Sequence, residues 1–391
     1  MAKKISAATA APAVNTLRDK FIAVQKDING YFVERRDVTL GLTIAFIAQK
    51  NILLVGSPGV AKSKIVDALT DRIIGATKFD WLLGKFTTPN EIYGPYNVKL
   101  LGEGIYRRVT TNMASEAHII FYDECYKGNS AILNTNLKLM NEKKFYDNGE
   151  SVKSPLITLV GASNEVPEKE DALDALHDRF HLKFVVKPIL ESSNFMRMMA
   201  SEDSFGTGTT ITLDELKRAN AEAMALNFND ETMEVYHQLW QSFKSGERIS
   251  VTDRTMMASK SVARAQAWLR GHAEVLPEDL DILRHMLWQD PKHERDVSST
   301  VLQLVAPERA IIMENLDALR LDVDKIHKEK TANKRMTATI DLLSKNKEII
   351  KIINDKMLVM KAKKLETQDL EDMLAEAQVS VAKFTRELSQ Q

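Results

Sequence analysis

Apolar runs of about five residues recur through the first half of the chain, at Asn51–Val55, Phe79–Leu83, Ile119–Tyr122, Leu156–Val160 and Leu182–Val186. They lack a strict alternation of polar and apolar positions, so each predicts a strand buried on both faces, with the helical patterns between them as crossovers. The expected fold class is α/β, a parallel sheet sandwiched by helices over residues 15–188. After Pro188 the period becomes helical. Thr212-Leu213-Asp214-Glu215 reads as a capping box and Pro277 as a first-turn proline, which predicts a helical lid over 189–306. From Glu308 to Gln391 there is neither glycine nor proline, so 307–391 is expected to be an all-helical extension. Within it Leu370, Leu374, Ala377, Val381, Phe384 and Leu388 form a heptad-like stripe that needs a partner, and a helical hairpin within the chain is preferred to a coiled coil between chains. Residues 1–14 carry two lysines and several alanines without a leucine-rich run, the pattern of a disordered leader and not of a signal peptide.

Composition narrows the function classes. The 53 Lys and Arg against 54 Asp and Glu leave a net charge of -1, which argues against a bulk polyanion partner such as nucleic acid. One cysteine in 391 residues allows no internal disulfide and points to a reducing, cytoplasmic setting. That residue, Cys125, reads as a packed thiol. The longest apolar run, Leu40–Ala48, is about half of a membrane span and reads as a buried helix. His118, His181 and His285 lack metal-ligand spacing, and Phe195, Met196, Met198 and Met199 read as packing within the lid.

The chemistry is concentrated in two motifs. Gly56-Ser57-Pro58-Gly59-Val60-Ala61-Lys62-Ser63 follows the first strand and precedes a helix expected over Lys64–Arg72. Small residues let backbone N–H groups curl around a phosphate, Lys62 reaches the β/γ oxygens, Ser63 ligates magnesium, and Lys64 follows in the helix. Ala61 occupies a position where glycine is usual, and alanine suits the turn only with negative φ. The second motif is Ile119-Ile120-Phe121-Tyr122-Asp123-Glu124, an apolar strand ending in two carboxylates. Strand alternation would turn Asp123 toward magnesium and Glu124 toward a water attacking the γ-phosphate. ATP and Mg2+ are the expected substrate and cofactor, and the pair of acids favours hydrolysis over binding alone.

The fourth apolar run, Leu156–Val160, leads through Gly161-Ala162-Ser163 to a polar amide at Asn164, and Leu176-His177-Asp178-Arg179-Phe180 follows. This series resembles the AAA+ ATPases, a likeness that implies Asn164 as the sensor of the lytic water and Arg179 as a finger reaching the neighbouring subunit's nucleotide. Phe86-Thr87-Thr88-Pro89-Asn90-Glu91-Ile92-Tyr93-Gly94-Pro95 and the stretch Asp123–Asn134 resemble the MoxR family, the RavA branch most closely, whose phosphate loop is similar to the Pro-Gly-Val-Ala-Lys-Ser form seen in this chain. The resemblance implies Arg254, in Ser250-Val251-Thr252-Asp253-Arg254, as a second sensor touching the γ-phosphate in cis. It also implies an insert over Gly84–Asn112, a homo-oligomeric ring taken as a hexamer, a protein client and a partner with a von Willebrand A domain. A hairpin is legible without it, since Lys143–Tyr146 and Val152-Lys153 flank the turn-forming Asp147-Asn148-Gly149-Glu150. Arg107, Arg108, Lys143 and Lys144 make that face basic, either for a client or merely as solvated charges. The leading expectation is an ATPase that remodels a protein client, chaperone-like. A nucleotide-gated scaffold with little turnover and a DNA-associated motor are the alternatives.

Overall fold

The computed structural model describes residues 16–166, 171–190, 192–201, 208–244 and 251–307, together with parts of 309–385. The expected leader lies outside the described residues. Two compact units divide between Val297 and Ser298.

In the first unit, α1 (Leu17–Tyr31) and α2 (Arg36–Ala48) precede β1 (Ile52–Val55), α3 (Lys62–Thr70), β2 (Ile73–Ile74) and β3 (Lys78–Leu82). Next come α4 (Pro89–Tyr93), α5 (Val98–Gly102), β4 (Ile119–Asp123), α6 (Ser130–Glu142) and the hairpin β5 (Lys144–Asp147) and β6 (Glu150–Lys153). β7 (Thr158–Ser163), α7 (Asp171–His177), β8 (Leu182–Val185) and α8 (Ser192–Met199) follow. The remaining elements are β9 (Ile211–Thr212), α9 (Leu213–Met224), α10 (Asp230–Lys244), α11 (Asp253–Arg270) and α12 (Glu294–Val305), the last of which carries the chain into the second unit.

The main sheet has the order β3-β4-β7-β1-β8, and every pairing in it is parallel. Its strands match the five expected runs, except that the fourth starts later. Ladder pairing with β4 begins at Thr158, while Ile157 N only reaches the His118 carbonyl. β1 and β7 are buried at every position, which explains the missing alternation: helices cover both faces. The run Leu40–Ala48 is indeed a buried helix, and its Gly41 leaves room for the Phe184 ring, which a Cβ would meet at 2.2 Å.

Beyond the sheet, Thr212 and Glu215 form the expected capping box, and Thr252 caps α11 by accepting from Thr255 N at 3.2 Å. Pro277 opens a 3-10 helix, Pro277–His285, not an α-helix. In the second unit the long helix α13 (Ala332–Ala362) contributes Leu342, Ile349, Ile353 and Met357 to one buried cluster with Leu370 and Ala377. Leu374 packs against that cluster, so the heptad-like stripe finds its partner within the chain; Phe384 and Leu388 lie outside the described residues. Among the described residues no helix is long and apolar enough to cross a membrane.

Asn51 staples the N-terminal ends of three strands. Its Oδ1 accepts from Leu159 N in β7, its Nδ2 donates to the Arg179 carbonyl just before β8, both at 3.1 Å, and it sits at the start of β1. Asn51→Ala strands the Leu159 amide in the core and is expected to destabilise the first unit by about 2 kcal/mol. Equilibrium denaturation of the variant and of the parent chain checks this.

Candidate functional site

The C-terminal ends of β1, β4 and β7 converge on one site. Gly56 leaves β1 against the Val186 carbonyl, which a Cβ would approach to 2.2 Å, so only glycine fits. The loop turns through Gly59 at φ 83 and Ala61 at φ 67, and α3 starts at Lys62, two residues earlier than the sequence suggested. Ala61 therefore corrects the expectation of negative φ: it is left-handed, a conformation that costs a residue with a Cβ about 1 kcal/mol. Left-handed residues beside a helix N-terminus aim backbone N–H groups at one point, which is what a polyphosphate requires.

Lys62 is buried, and its Nζ donates to the carbonyls of Gly56 and Ser57 and, at 3.1 Å, to Asn164 Oδ1. Burial lowers its pKa, and the nearby Asp123 and Glu124 carboxylates oppose that shift. Asn164 passes the contact on, donating through Nδ2 to Glu124 Oε1. Glu124 Oε2 lies 3.3 Å from Lys127 Nζ. A continuous chain, Lys62 to Asn164 to Glu124 to Lys127, thus joins the phosphate loop to the carboxylate pair.

Glu124 leaves the strand at φ 51, and its own N–H donates to Asp123 Oδ1 at 3.0 Å. The two acids diverge because of this left-handed turn, not through the strand alternation expected from sequence. The residues at this edge fit ATP with Mg2+: Ser63 stands in the first turn of α3, and Asp123 is an oxygen donor at the end of β4, near enough to Lys62 to act on its charge.

Arg179 and Arg254 belong to the other end of the sheet. The Arg179 carbonyl is held by Asn51, before β1 starts, and its guanidinium donates to the Ala175 carbonyl. With the Asn141 amide oxygen facing it, Asn141 accepts from Nε and Nη2 at 3.0 and 3.1 Å. Burial, then the charge of Arg254, lowers the Arg179 pKa. Arg254 pairs with Asp178 at 2.5 Å, and the charge of that carboxylate also acts on Arg179, raising its pKa against the burial. From Asn51 to Gly56 an extended chain spans roughly 16 Å. Arg254, for which a cis contact to the γ-phosphate is expected, stands beside Arg179 through its pairing with Asp178.

Two other elements take shape above the sheet. In the expected insert, Tyr96 bridges antiparallel to Arg108 and closes a loop around α5, with α4 just before it. The hairpin turns through Asn148 and Gly149, both with positive φ, as a two-residue turn requires. They are tied together, because Asn148 Oδ1 accepts from Tyr106 N at 3.0 Å and Asp147 Oδ1 from Arg108 N at 2.9 Å. Between them lies a recess of about 410 Å³ lined by Tyr96, Tyr106, Arg108 and Tyr146. The basic face is largely spoken for. Arg107 faces Asp147 and Glu150, Arg108 lies over the Tyr96 ring, and Lys143 is turned inward onto Gln49, where burial brings its pKa down to about 8. The fourth member, Lys144, is exposed at the start of β5.

Comparison with known proteins identifies the group. A family model described as the MoxR domain of MoxR-vWA-beta-propeller ternary systems matches residues 19–225, just over half of the chain, and an AAA lid domain matches 231–301. The chain belongs to the MoxR family of AAA+ ATPases. That description names the ternary systems and not the RavA branch. Two uncharacterized proteins of Methanocaldococcus jannaschii are similar: one is 33% identical, covering 78% of this chain and 82% of its own length, the other 31%, covering 88% and 92%. A structural protein of Acidianus two-tailed virus is 29% identical over 56% of this chain and 35% of its own. A solved structure from Cytophaga hutchinsonii, assigned as an ATPase, shares the fold with a TM-score of 0.60 at 18% identity, covering 74% of this chain and 95% of that one.

Several features of this MoxR-family site were not read from sequence. Tyr126, two residues past Glu124, makes a 2.6 Å hydrogen bond to His177 Nδ1, joining the carboxylate turn to the last residue of α7, two residues before Arg179. The Asp-Glu-Cys-Tyr run held the signal, but its partner is 51 residues away. Cys125 is a packed thiol as expected, its pKa pushed up by burial. Phe195, Met196, Met198 and Met199 are exposed, contrary to the lid packing expected for them, because α8 turns its Asn194 toward the body of the unit.

Burial and the charge of Lys183 drive the His177 pKa down to about 3. The folded chain therefore binds fewer protons there than the unfolded chain between about pH 3 and 6.5. Its stabilising share is complete above 6.5 and is lost as pH falls toward 3. The thermal midpoint should drop from pH 7 to pH 4, less steeply in His177→Gln; equal slopes by calorimetry would refute the assignment.

Proposed function

We propose that the chain hydrolyses ATP in a homo-oligomeric ring, with the phosphate loop of one protomer completed by Arg179 and Arg254 of the next, and that it uses the cycle to remodel a protein client. The observation that carries this reading is the separation of the two half-sites at opposite ends of one parallel sheet. A head-to-tail neighbour can close that distance; the chain's own side chains cannot. Closed head-to-tail contacts generate a ring, and a hexamer is the size taken for it.

In the proposed cycle the backbone of Gly59 to Lys62 receives the phosphates, and Lys62 exchanges the Gly56 and Ser57 carbonyls for phosphate oxygens. Ser63 and Asp123 would hold Mg2+, which supplies charge neutralisation when bound. Asn164 orients the Glu124 carboxylate. Glu124 accepts a proton as water oxygen bonds to the γ-phosphorus and the bond to the β–γ bridging oxygen breaks, leaving ADP and phosphate. The two arginines of the neighbour offset negative charge on the transferred group.

The client reading rests on the insert and hairpin, which share hydrogen bonds and present Tyr106, Tyr146 and Val98 outward. A partner bearing a von Willebrand A domain is supported by the ternary systems that name the matching family model. A cytoplasmic location is supported by the single cysteine, buried and unpaired.

Lys62→Ala should abolish binding of a fluorescent ATP analogue. Glu124→Gln should bind it normally while hydrolysing ATP some 10²-fold or more slowly, since an amide cannot take the proton. Arg179→Ala and Arg254→Ala should each keep binding but lose turnover, by roughly 10³-fold for the finger. Mixing either with Lys62→Ala decides the trans arrangement. Each protein is inactive alone, but mixed rings pair an intact loop with intact arginines, so the ATPase rate should rise toward equal proportions. A flat response after proven subunit exchange would reject it.

A further inference from the structure

The junction between α1 and α2 holds a residue that the catalytic reading leaves unused. Glu34 sits at φ 56, a backbone region sparsely occupied by residues with a Cβ, and such outliers persist only where surrounding contacts enforce them. At this junction the contacts are long-range. One carboxylate oxygen accepts from Leu190 N at 2.9 Å and the other from Asn194 Nδ2 at 3.0 Å, so both are engaged by the segment entering α8, more than 150 residues away in sequence.

The next residue reaches the phosphate loop. Arg35 is 7% exposed, and its Nε donates to the Val60 carbonyl at 3.2 Å while its Nη1 donates back to the Glu34 carbonyl at 2.8 Å. Val60 lies between the two left-handed residues of the loop, Gly59 and Ala61. Two adjacent residues therefore grip two distant parts of the first unit: Glu34 the start of α8, and Arg35 the turn that shapes the phosphate site. The left-handed backbone at Glu34 lets neighbouring side chains diverge in this way.

We propose that Glu34 is a positioning residue for the nucleotide: by anchoring the junction to Leu190 and Asn194 it holds Arg35 on the Val60 carbonyl and so keeps the phosphate loop formed before ATP arrives. This rests on the ATPase reading above and adds a dependence of that site on the placement of α8. Nothing in it requires Glu34 to touch ATP. Its loss acts through a loosened loop, lowering affinity for nucleotide while sparing the chemical step.

The test uses the full chain and a fluorescent ATP analogue. Glu34→Gly tolerates the positive φ and so should fold, as a thermal midpoint verifies, yet it removes the carboxylate. It is expected to raise Kd and KM at least about fivefold with kcat nearly unchanged, the size and pattern of a lost coupling. Asn194→Ala should raise Kd as well, and the double variant should be no worse than Glu34→Gly, because both remove one link. Glu34→Gln, which can still accept from Leu190 N, should recover most of the affinity. An unchanged Kd in Glu34→Gly, or fully additive losses in the double variant, would overturn the proposal while leaving the ATPase reading intact. Failure of the unaltered chain to bind the analogue would remove that reading, and this proposal with it.

Discussion

All five strands of the main sheet run in one direction, and the distribution of chemistry depends on that polarity. Every strand delivers its C-terminal end to the same edge, where loops leaving β1, β4 and β7 place Lys62, Asp123, Glu124 and Asn164 together. At the opposite end of the sheet the crossover into β8 places Arg179, and Arg254 of α11 joins it through its pairing with Asp178. Strand length, not side-chain reach, then sets the separation. The phosphate loop and the arginine pair therefore stand at opposite ends of the strands.

The C-terminal end of the sheet is organised by strain that the strands can bear. Ala61 and Glu124 are both left-handed, and each directly follows a strand end or a tight loop anchored in the ladder: Gly56 N to the Ser163 carbonyl, Cys125 N to the Ala162 carbonyl. Because these anchors are buried, the strained turns have no cheaper alternative, and the Lys62–Asn164–Glu124 chain holds their side chains in register. A buried lysine without those acids would be costly, so the carboxylates stabilise the loop.

Behind the site, buried polar bonds connect elements that could otherwise slide. Tyr93 of α4 donates to Asn136 Oδ1 at 2.6 Å, and Tyr122 of β4 lies 3.3 Å from the same oxygen. The insert, the carboxylate strand and the helix leading into the hairpin thus meet at one amide. Asn129 Nδ2 adds a bond to the Thr87 carbonyl at 2.6 Å, fixing the start of α6 to the start of the insert. Satisfied networks of this kind specify one arrangement, since each broken member leaves a buried group unpaired. The insert and hairpin are therefore carried on the same framework as the carboxylates.

Much of this was legible in the chain itself. The five apolar runs, the phosphate loop, the two acids, the Asn-Gly turn and the capping box at Thr212 are local signals, set by backbone sterics and by burial on both faces, and short-range physics decides them. The stripe through Leu370 and Ala377 announced that it needed a partner but could not name Ile349 or Ile353, because packing partners are chosen in three dimensions. For the same reason only the tertiary structure decided that Arg254 stands with Arg179, that Lys143 turns inward, that Tyr126 meets His177, and that Glu34 reaches α8. Each depends on which end of a strand, or which face of a helix, is brought opposite another segment far along the chain, and no local pattern encodes that. Sequence determined what each residue could do; the direction of the strands and the closure of the core determined which residues could do it together.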